Sequence, residues 1–215
     1  VSDESLQRLS RAARFDFGLM PSGYAWTFPK KDHLSMGVLS MRPGPVKLHR
    51  MFEQYLKLIN LEGVVTIKRR GSLIPISPRK DGFTKKRVLL TGDAAGLVDP
   101  VVGEGITSAL LSGMMAAKAL LEGAFHEGKV KEYYESELSK KILLELRLGR
   151  ALAKLIYDYP RLLRRLLELY GQEFTEAVTD VVTGEKTYRR LMSTPSNYFQ
   201  LFRGWYRKRK EKYGH

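Results

Sequence analysis

The 215-residue chain has no cysteine, 43% hydrophobic residues and a formal net charge of +14 at pH 7. The lack of cysteine excludes disulfides, thiolate metal sites and a thiol nucleophile, while the hydrophobic content is ordinary for a folded protein with a core. The excess of lysine and arginine favours an anionic partner, such as nucleic acid, an acidic lipid surface or a phosphorylated substrate.

The beginning of the chain predicts a helix followed by an antiparallel hairpin. Residues 1–14 have a helical pattern, and the aromatic segment after them alternates with a period of two. Lys30, Lys31 and Asp32 predict a turn, and residues 33–41 the returning strand. Three aromatic residues occupy alternate positions and therefore share one face of a strand: Tyr24, Trp26 and Phe28.

The next segments predict a helix and two further strand regions. Residues 46–61 have a helical pattern, and residues 64–78, VVTIKRRGSLIPISP, indicate a strand region broken at Gly71 and Pro75. Residues 88–90 form a short continuous apolar run, typical of a strand that is buried on both faces and has a parallel neighbour.

Helices account for the rest of the chain. A helix is predicted over residues 104–122, and apolar residues at four-residue spacing continue the pattern beyond Gly123. Pro160 breaks it, and the two helices predicted after that break end at Gly171 and Gly184. The histidines lack metal-ligand spacing, so no metal site is predicted.

Between the apolar run and the central helix lies a loop of small residues, TGDAAGLVDPVVGEGI, at residues 91–106. A strand that delivers Gly92 and Asp93 to its carboxyl end beside a helix start has the geometry at which open α/β sheets bind ligands. Gly92 permits close approach of another group, and Asp93 can accept hydrogen bonds from the hydroxyls of a sugar or sugar alcohol.

The second half of the loop leads into the helix start. Pro100 stiffens the approach to Gly103, Glu104 and Gly105, where unpaired N–H groups and the positive end of the helix dipole face the same region. Those donors would stabilise negative charge on a ligand. In the alternative interpretation, the loop is a structural turn in which Asp93 caps the next helix.

The loop closely resembles the second flavin-contacting motif of the FAD-dependent geranylgeranyl reductase family, within the superfamily that includes the aromatic hydroxylases. The hydroxylases usually carry His after the Asp-Ala-Ala triplet, where this chain has Gly96. YAWTFP at residues 24–29, followed later by Gly37, resembles the aromatic signature of the same reductases. Leu39 stands where that signature commonly has a second glycine.

The resemblance implies an FAD cofactor and a prenyl (geranylgeranyl) lipid substrate. The residues that would contact the cofactor are Gly92, Asp93, Ala94, Pro100, Gly103, Gly105 and Ile106. Those that would line the channel for the hydrocarbon are Tyr24, Trp26, Phe28 and Pro29. An aromatic strand face packed into a core has the same composition. In such a reductase an external electron donor reduces FAD, which passes hydride to isolated double bonds of the prenyl group.

Two alternatives stay open at this point. The Gly-Asp motif is shared with flavin-dependent hydroxylases and electron-transfer flavoprotein dehydrogenases, which act on other substrates. From a different class, the chain would be a non-catalytic piece whose basic helices dock on a membrane or nucleic acid.

The dinucleotide fingerprint of such flavoproteins is missing from the sequence. The family pattern opens with G-x-G-x-x-G directly after a strand, whereas Gly103-x-Gly105-x-x-Ser108 lacks the last glycine and follows the strand at a distance. The resemblance covers residues 15–125. We therefore expect the C-terminal portion of a longer flavoprotein, without its N-terminal FAD-binding half.

These observations predict an α/β chain that is α+β in the part present here. Residues 1–85 would belong to an antiparallel, substrate-binding sheet domain, residues 86–123 to a doubly wound FAD-binding domain, and residues 124–215 to a helical region. Six basic residues with aromatic neighbours lie within 203–212, which suits an anionic membrane surface or a solvated helix end. We expect a cytoplasmic protein, peripheral on the membrane, that binds prenyl lipid and not nucleic acid.

Overall fold

The computed structural model describes residues 1–41, 44–61, 64 and 66–193. The chain divides into two compact units, one made of Val1–Gly71 and Ile156–Arg164, the other of Ser72–Leu155 and the residues from Arg165 onward. Each unit combines helices with a small antiparallel sheet, which confirms the mixed α and β composition. The basic tail predicted at residues 203–212 lies outside the described residues.

The first unit opens with a helix and a three-stranded sheet. Helix α1 spans Asp3–Leu9, and the Ser2 hydroxyl caps it by accepting the N–H of Ser5 at 3.3 Å. The antiparallel strands follow in chain order: β1 (Arg14–Phe17), β2 (Gly23–Pro29) and β3 (Leu34–Ser40). The turn predicted between β2 and β3 is confirmed, and the N–H of Lys30 closes it by donating to the His33 carbonyl at 2.9 Å.

The helix predicted over residues 1–14 is shorter than expected. It ends at Leu9 because the chain from Arg14 onward pairs with β2, in the register Arg14↔Thr27 to Phe17↔Tyr24. Strand pairing satisfies the backbone groups that a longer helix would have satisfied within itself.

The core of the first unit lies between one face of the sheet and helix α2 (Leu48–Leu58), which confirms the helix predicted there. Ala25, Thr27 and Tyr55 are fully buried. The Tyr55 hydroxyl donates to Asp16 Oδ2 at 2.8 Å and lies 2.8 Å from Thr27 Oγ1. Burial raises the pKa of Tyr55 to about 12.

The strand region predicted over residues 64–78 is wrong, since the described residues of that segment form no strand. Pro75 and Pro78 have no N–H to contribute to a ladder, and Leu73 is 99% exposed rather than packed. The N–H of Ile76 bonds instead to the carbonyl of Ile74 at 3.0 Å.

The second unit begins with a two-stranded hairpin and continues as helices. The strands are β4 (Thr84–Lys85) and β5 (Val88–Leu89). After a 3₁₀ turn at Gly92–Ala95 come α3 (Ile106–Glu122), α4 (Glu127–Leu138), a π-helical turn (Ser139–Leu143), α5 (Leu144–Asp158), α6 (Pro160–Val182) and α7 (Tyr188–Ser193). Residues 156–164, which include the end of α5 and the start of α6, belong to the first unit. Among the described residues, no helix is both long enough and apolar enough to cross a membrane.

The parallel, doubly buried strand predicted at residues 88–90 is wrong. Strand β5 pairs antiparallel with β4, and Val88 is 55% exposed. The chain reverses at Lys86, whose φ is 51°, and β5 pairs with β4 just before it, because closing so short a loop costs little entropy. The described part of the chain contains no parallel partner for β5.

The core of the second unit is formed mainly by α3, α4 and the π-helical turn. Tyr134 and Leu138 of α4 are fully buried against Met115 and Ala119 of α3. The Tyr134 hydroxyl donates to the Leu90 carbonyl at 2.6 Å, which ties the end of the hairpin to α4. Burial raises the pKa of Tyr134 to about 12.

The later helices match the predicted stops only in part. Pro160 does separate α5 from α6, in the first-turn position where its missing N–H costs nothing. The stop predicted at Gly171 is instead a kink within α6 at Tyr170, whose φ is −138°. Gly184, with φ of 78°, follows the end of α6 as predicted.

Candidate functional site

The Gly-Asp loop, residues 91–106, is shaped by close backbone packing within the second unit. Gly92 and Gly96 have φ of 50° and 69°, a region that favours glycine. A Cβ added at Gly96 would lie 2.1 Å from the carbonyl oxygen of Ser77. The turn is closed by the N–H of Gly96, which donates to the Asp93 carbonyl at 2.9 Å.

The group that approaches Gly92 is helix α3 itself. A Cβ at Gly92 would lie 2.8 Å from the Cβ of Ala109. The N–H of Gly92 donates to Ser112 Oγ at 2.9 Å, and Ser112 is fully buried. The close approach inferred at Gly92 is therefore found in the structure as packing of the loop on α3.

Asp93 and the start of α3 meet at Gly105. A Cβ on Gly105 would lie only 2.8 Å from Asp93 Oδ1. The Asp93 side chain is exposed, and within the described residues its carboxylate receives no hydrogen bond. The carboxylate therefore faces solvent beside the helix start and can accept hydrogen bonds from a ligand.

The helix start is not as bare as the sequence predicts. Glu104 Oε1 accepts the N–H of Thr107 at 2.8 Å and so caps one donor. In the part of the chain that the structure describes, the N–H groups of Gly105 and Ile106 have no acceptor. The helix start therefore keeps two backbone donors without a described acceptor, and Gly105 lies beside the Asp93 carboxylate.

Asp99 holds the second half of the loop, a role that was not predicted from the sequence. Its Oδ1 accepts the N–H groups of Val101 and Val102 at 2.8 and 2.9 Å. Its backbone N–H donates to the Glu104 carbonyl at 2.7 Å. The N–H of Gly103, whose φ is 70°, donates to the Asp99 carbonyl at 2.9 Å. An Asp-Pro pair inside a loop was the only local signal for this turn.

Helices distant in sequence close over the same half of the loop. The hydroxyl of Tyr188 on α7 donates to Asp99 Oδ2 at 2.7 Å, and Tyr188 is only 4% exposed. Pro100 is buried, and a Cβ on Gly149 of α5 would lie 3.2 Å from its Cγ and 2.8 Å from the Tyr188 ring. The loop conformation therefore depends on α5 and α7.

In the first unit, the predicted aromatic residues belong to a larger group of rings. Tyr24 lies 6.2 Å from Trp26, and Trp26 lies 6.2 Å from Phe28, which confirms that the three share one face of β2. Phe15 and Phe17 of β1 join them, at 5.5 and 5.7 Å from Tyr24. We call these five rings the aromatic layer.

Trp26 lies flat against β3. A Cβ on its cross-strand partner Gly37 would come within 2.2 Å of the indole ring, so only glycine accommodates this position of the ring. The fully buried Ala25 and Thr27 lie on the opposite face, because side chains alternate along a strand. Tyr24 is 6% exposed and Phe15 45% exposed, so the layer runs from buried to open. Pro29 ends β2.

The structure thus brings the predicted cofactor residues together in one loop of the second unit, and the predicted substrate residues together on one strand of the first. A Gly-Asp turn that leads into a helix start and an antiparallel strand that carries the aromatic residues are the two features on which the resemblance to the geranylgeranyl reductase family rests.

Comparison with curated proteins confirms this resemblance. The chain is 30% identical over 188 residues to geranylgeranyl diphosphate reductase, chloroplastic, of Arabidopsis thaliana. The matched region covers 83% of this chain and 40% of that protein. It is 35% identical over 144 residues to digeranylgeranylglycerophospholipid reductase 3 of Methanosphaera stadtmanae, covering 60% of this chain and 35% of that protein. No family model matches the chain.

A solved structure shares the fold. The geranylgeranyl bacteriochlorophyll reductase-like protein of Thermoplasma acidophilum superimposes with a TM-score of 0.55 over 66% of this chain and 38% of that one, at 24% sequence identity. The chain therefore spans two fifths or less of the length of these relatives.

Proposed function

We propose that the chain supplies part of a flavin-dependent reductase that saturates double bonds in a geranylgeranyl or related prenyl lipid. The curated relatives are named for reduction of geranylgeranyl compounds. The observation that carries the proposal is the exposed Asp93 carboxylate, which lies beside Gly105 and receives no hydrogen bond from the described residues.

The residues of the Gly-Asp loop fit one part of FAD. The Asp93 carboxylate would accept the hydroxyls of the ribityl chain, and the N–H groups of Gly105 and Ile106 would stabilise negative charge on the ring. Once reduced by an external electron donor, bound FAD would supply the hydride for reduction of an isolated double bond, and a proton would complete the reduction. No G-x-G-x-x-G fingerprint lies within the 215 residues, so we propose that the pyrophosphate is held by groups outside this chain.

The aromatic layer would hold the hydrocarbon. Its rings present apolar surface and no charge, which suits an isoprenoid chain that gains free energy by leaving water. Gly37 leaves room for the Trp26 indole against the sheet, so the indole forms part of this apolar face. The net charge of +14 would favour an anionic membrane surface, where prenyl lipids are found.

The proposal is tested by flavin binding to the intact protein. Asp93→Ala is expected to weaken FAD binding by about tenfold or more, since a charged acceptor for ligand hydroxyls is lost. Quenching of flavin fluorescence on titration measures it. Asp158→Ala removes another exposed carboxylate outside the loop and serves as the matched control. Equal affinity of both variants and the wild type would refute the assignment of the loop.

A further inference from the structure

A cleft of about 540 Å³ lies in the first unit, where the turn before β2 meets the start of α2. This volume is within the range of small-molecule sites. We call it the cation cleft, and its lining residues are Pro21, Pro45, Val46, Lys47, Arg50, Met51 and Gln54.

The polar lining of the cation cleft is positive and carries no acid. Lys47 and Arg50 supply two positive charges, and Gln54 supplies an amide. None of the three side chains has an ion pair or hydrogen bond with another described residue. Glu53, the acid on the same helix, is held by Arg69 at 2.7 Å and so does not neutralise the cleft.

The donors suit the oxygens of a phosphate group. Arg50 and Gln54 are four residues apart on α2 and therefore lie on one side of the helix. A guanidinium binds phosphate through two parallel N–H bonds, and an ammonium adds a point charge. Lys47 is the residue before α2, whose first turn has no acidic side chain, so the helix dipole adds to the positive potential.

The cleft lies at one end of the sheet that carries the aromatic layer. The Pro21 carbonyl accepts the Ser40 hydroxyl at 3.2 Å, and Ser40 pairs with Gly23 at the start of β2. Tyr24 is therefore the ring of β2 nearest to this end. Helix α2, which carries Arg50 and Gln54, packs on the face of that sheet opposite to the rings.

We propose that the cation cleft binds the phosphate or diphosphate group of a prenyl compound. The identity of the hydrocarbon rests on the function proposed above, whereas the anion site stands on Lys47, Arg50 and Gln54 themselves. The headgroup is that of a free prenyl diphosphate or of a prenyl phospholipid, since both present the same phosphate oxygens.

The first test uses inorganic pyrophosphate and titration calorimetry of the flavin-free protein. Lys47→Gln with Arg50→Gln is expected to weaken binding by about tenfold or more, because two charge-assisted contacts are lost. Lys30→Gln with Lys31→Gln removes the same charge from the turn at the opposite end of the hairpin and is expected to leave the affinity within about twofold. Unchanged circular dichroism and melting temperature establish that both variants are folded.

Two further probes distinguish the source of the phosphate. Geranylgeranyl diphosphate that binds more tightly than pyrophosphate, with the same dependence on Lys47 and Arg50, identifies a free diphosphate ester. Binding to phosphatidylglycerol vesicles but not to phosphatidylcholine vesicles, with that dependence and without pyrophosphate binding, identifies a phospholipid headgroup.

Equal losses of pyrophosphate affinity in the two double variants would overturn the proposal, because they would indicate diffuse electrostatic attraction. Failure of all three probes to bind would also overturn it. Loss of FAD binding is measured separately. An anion site in a protein that does not bind flavin would refute the proposed function and leave the cleft assigned.

Discussion

At the scale of single residues, the Gly-Asp loop is packed so closely that two of its glycines leave no room for a side chain. Gly92 is packed on Ala109, and Gly96 on the backbone of Ser77. These two glycines are explained by packing within the protein, while the Asp93 carboxylate receives no hydrogen bond from any described residue. The distinction is the reason why we propose the carboxylate as the group in this loop that binds a ligand.

Tyr188→Phe is expected to loosen the second half of the loop. The change removes a buried hydrogen bond of 2.7 Å to Asp99 and should lower the free energy of unfolding by about 1–2 kcal/mol. It should also speed amide hydrogen exchange at Val101 and Val102, whose N–H groups Asp99 accepts.

The control for this prediction is Tyr159→Phe, which removes the same hydroxyl from a side chain that is 59% exposed. Its effect on unfolding should stay within about 0.5 kcal/mol. Exchange at Val101 and Val102 that is the same in both variants would contradict the role given to Tyr188.

At the scale of elements, α3 serves the loop and the core at once. Its first residues face the Asp93 carboxylate, and Met115, Ala116 and Ala119 farther along pack against α4. Any shift of α4 would therefore reach the loop through α3. Other positions of α3 are open: Ile106, Leu110, Met114 and Leu121 are each at least 65% exposed.

Leu138→Ala in α4 tests how much this helix pair contributes. Leu138 is fully buried, so the cavity and the lost burial should cost about 2–5 kcal/mol in urea unfolding. Leu121→Ala is the same substitution at a position of α3 that is 73% exposed, and it should cost less than about 0.5 kcal/mol. Similar costs at the two positions would mean that the α3 and α4 contact is not part of the core.

At the scale of the whole molecule, each unit has a buried tyrosine at its centre. Tyr55 ties α2 to the sheet of the first unit, and Tyr134 ties α4 to the hairpin of the second. Burial raises the pKa of both to about 12 because the phenolate is poorly solvated there. Both units therefore respond to alkali in the same direction.

The free energy of unfolding should be independent of these tyrosines below about pH 10 and fall between about pH 10 and about pH 12. In that window the unfolded chain releases phenolic protons that the folded chain keeps, so stability is lost as the pH rises. Each tyrosine would contribute roughly 2–3 kcal/mol to the loss. Urea titrations across this range measure it.

The double variant Tyr55→Phe with Tyr134→Phe has no phenol to ionise at these two positions. Its stability should therefore decline much less over the same pH range, although it starts lower because three hydrogen bonds are missing. A wild-type curve as flat as that of the double variant would show that the two phenols ionise normally in the folded chain.

Much of the local structure and the two groups of candidate residues could be predicted from the sequence. Alternation of Tyr24, Trp26 and Phe28 placed three rings on one face, and the turn residues after Pro29 located the hairpin. The small residues around Asp93 indicated a tight turn before a helix. These features depend on side-chain period and backbone preference over a few residues, which a sequence displays directly.

Other features depended on partners that spacing does not reveal. Residues 88–90 have the composition of a doubly buried parallel strand, yet the chain reverses at Lys86 and pairs β5 with β4. The strand region predicted over residues 64–78 finds no strand to pair with among the described residues. An apolar composition shows which residues can be buried, but their burial requires another segment of the chain to pack against them.

The sequence by itself thus determined the aromatic face of β2, the Gly-Asp turn and the start of α3, because short-range geometry decides them. Only the tertiary structure decided that Asp99 is held by Tyr188, 89 residues away, that α3 packs on Gly92, and that Lys47 and Arg50 line one cleft. Contacts between distant segments are selected by the packing of the complete core, and no local pattern encodes that choice.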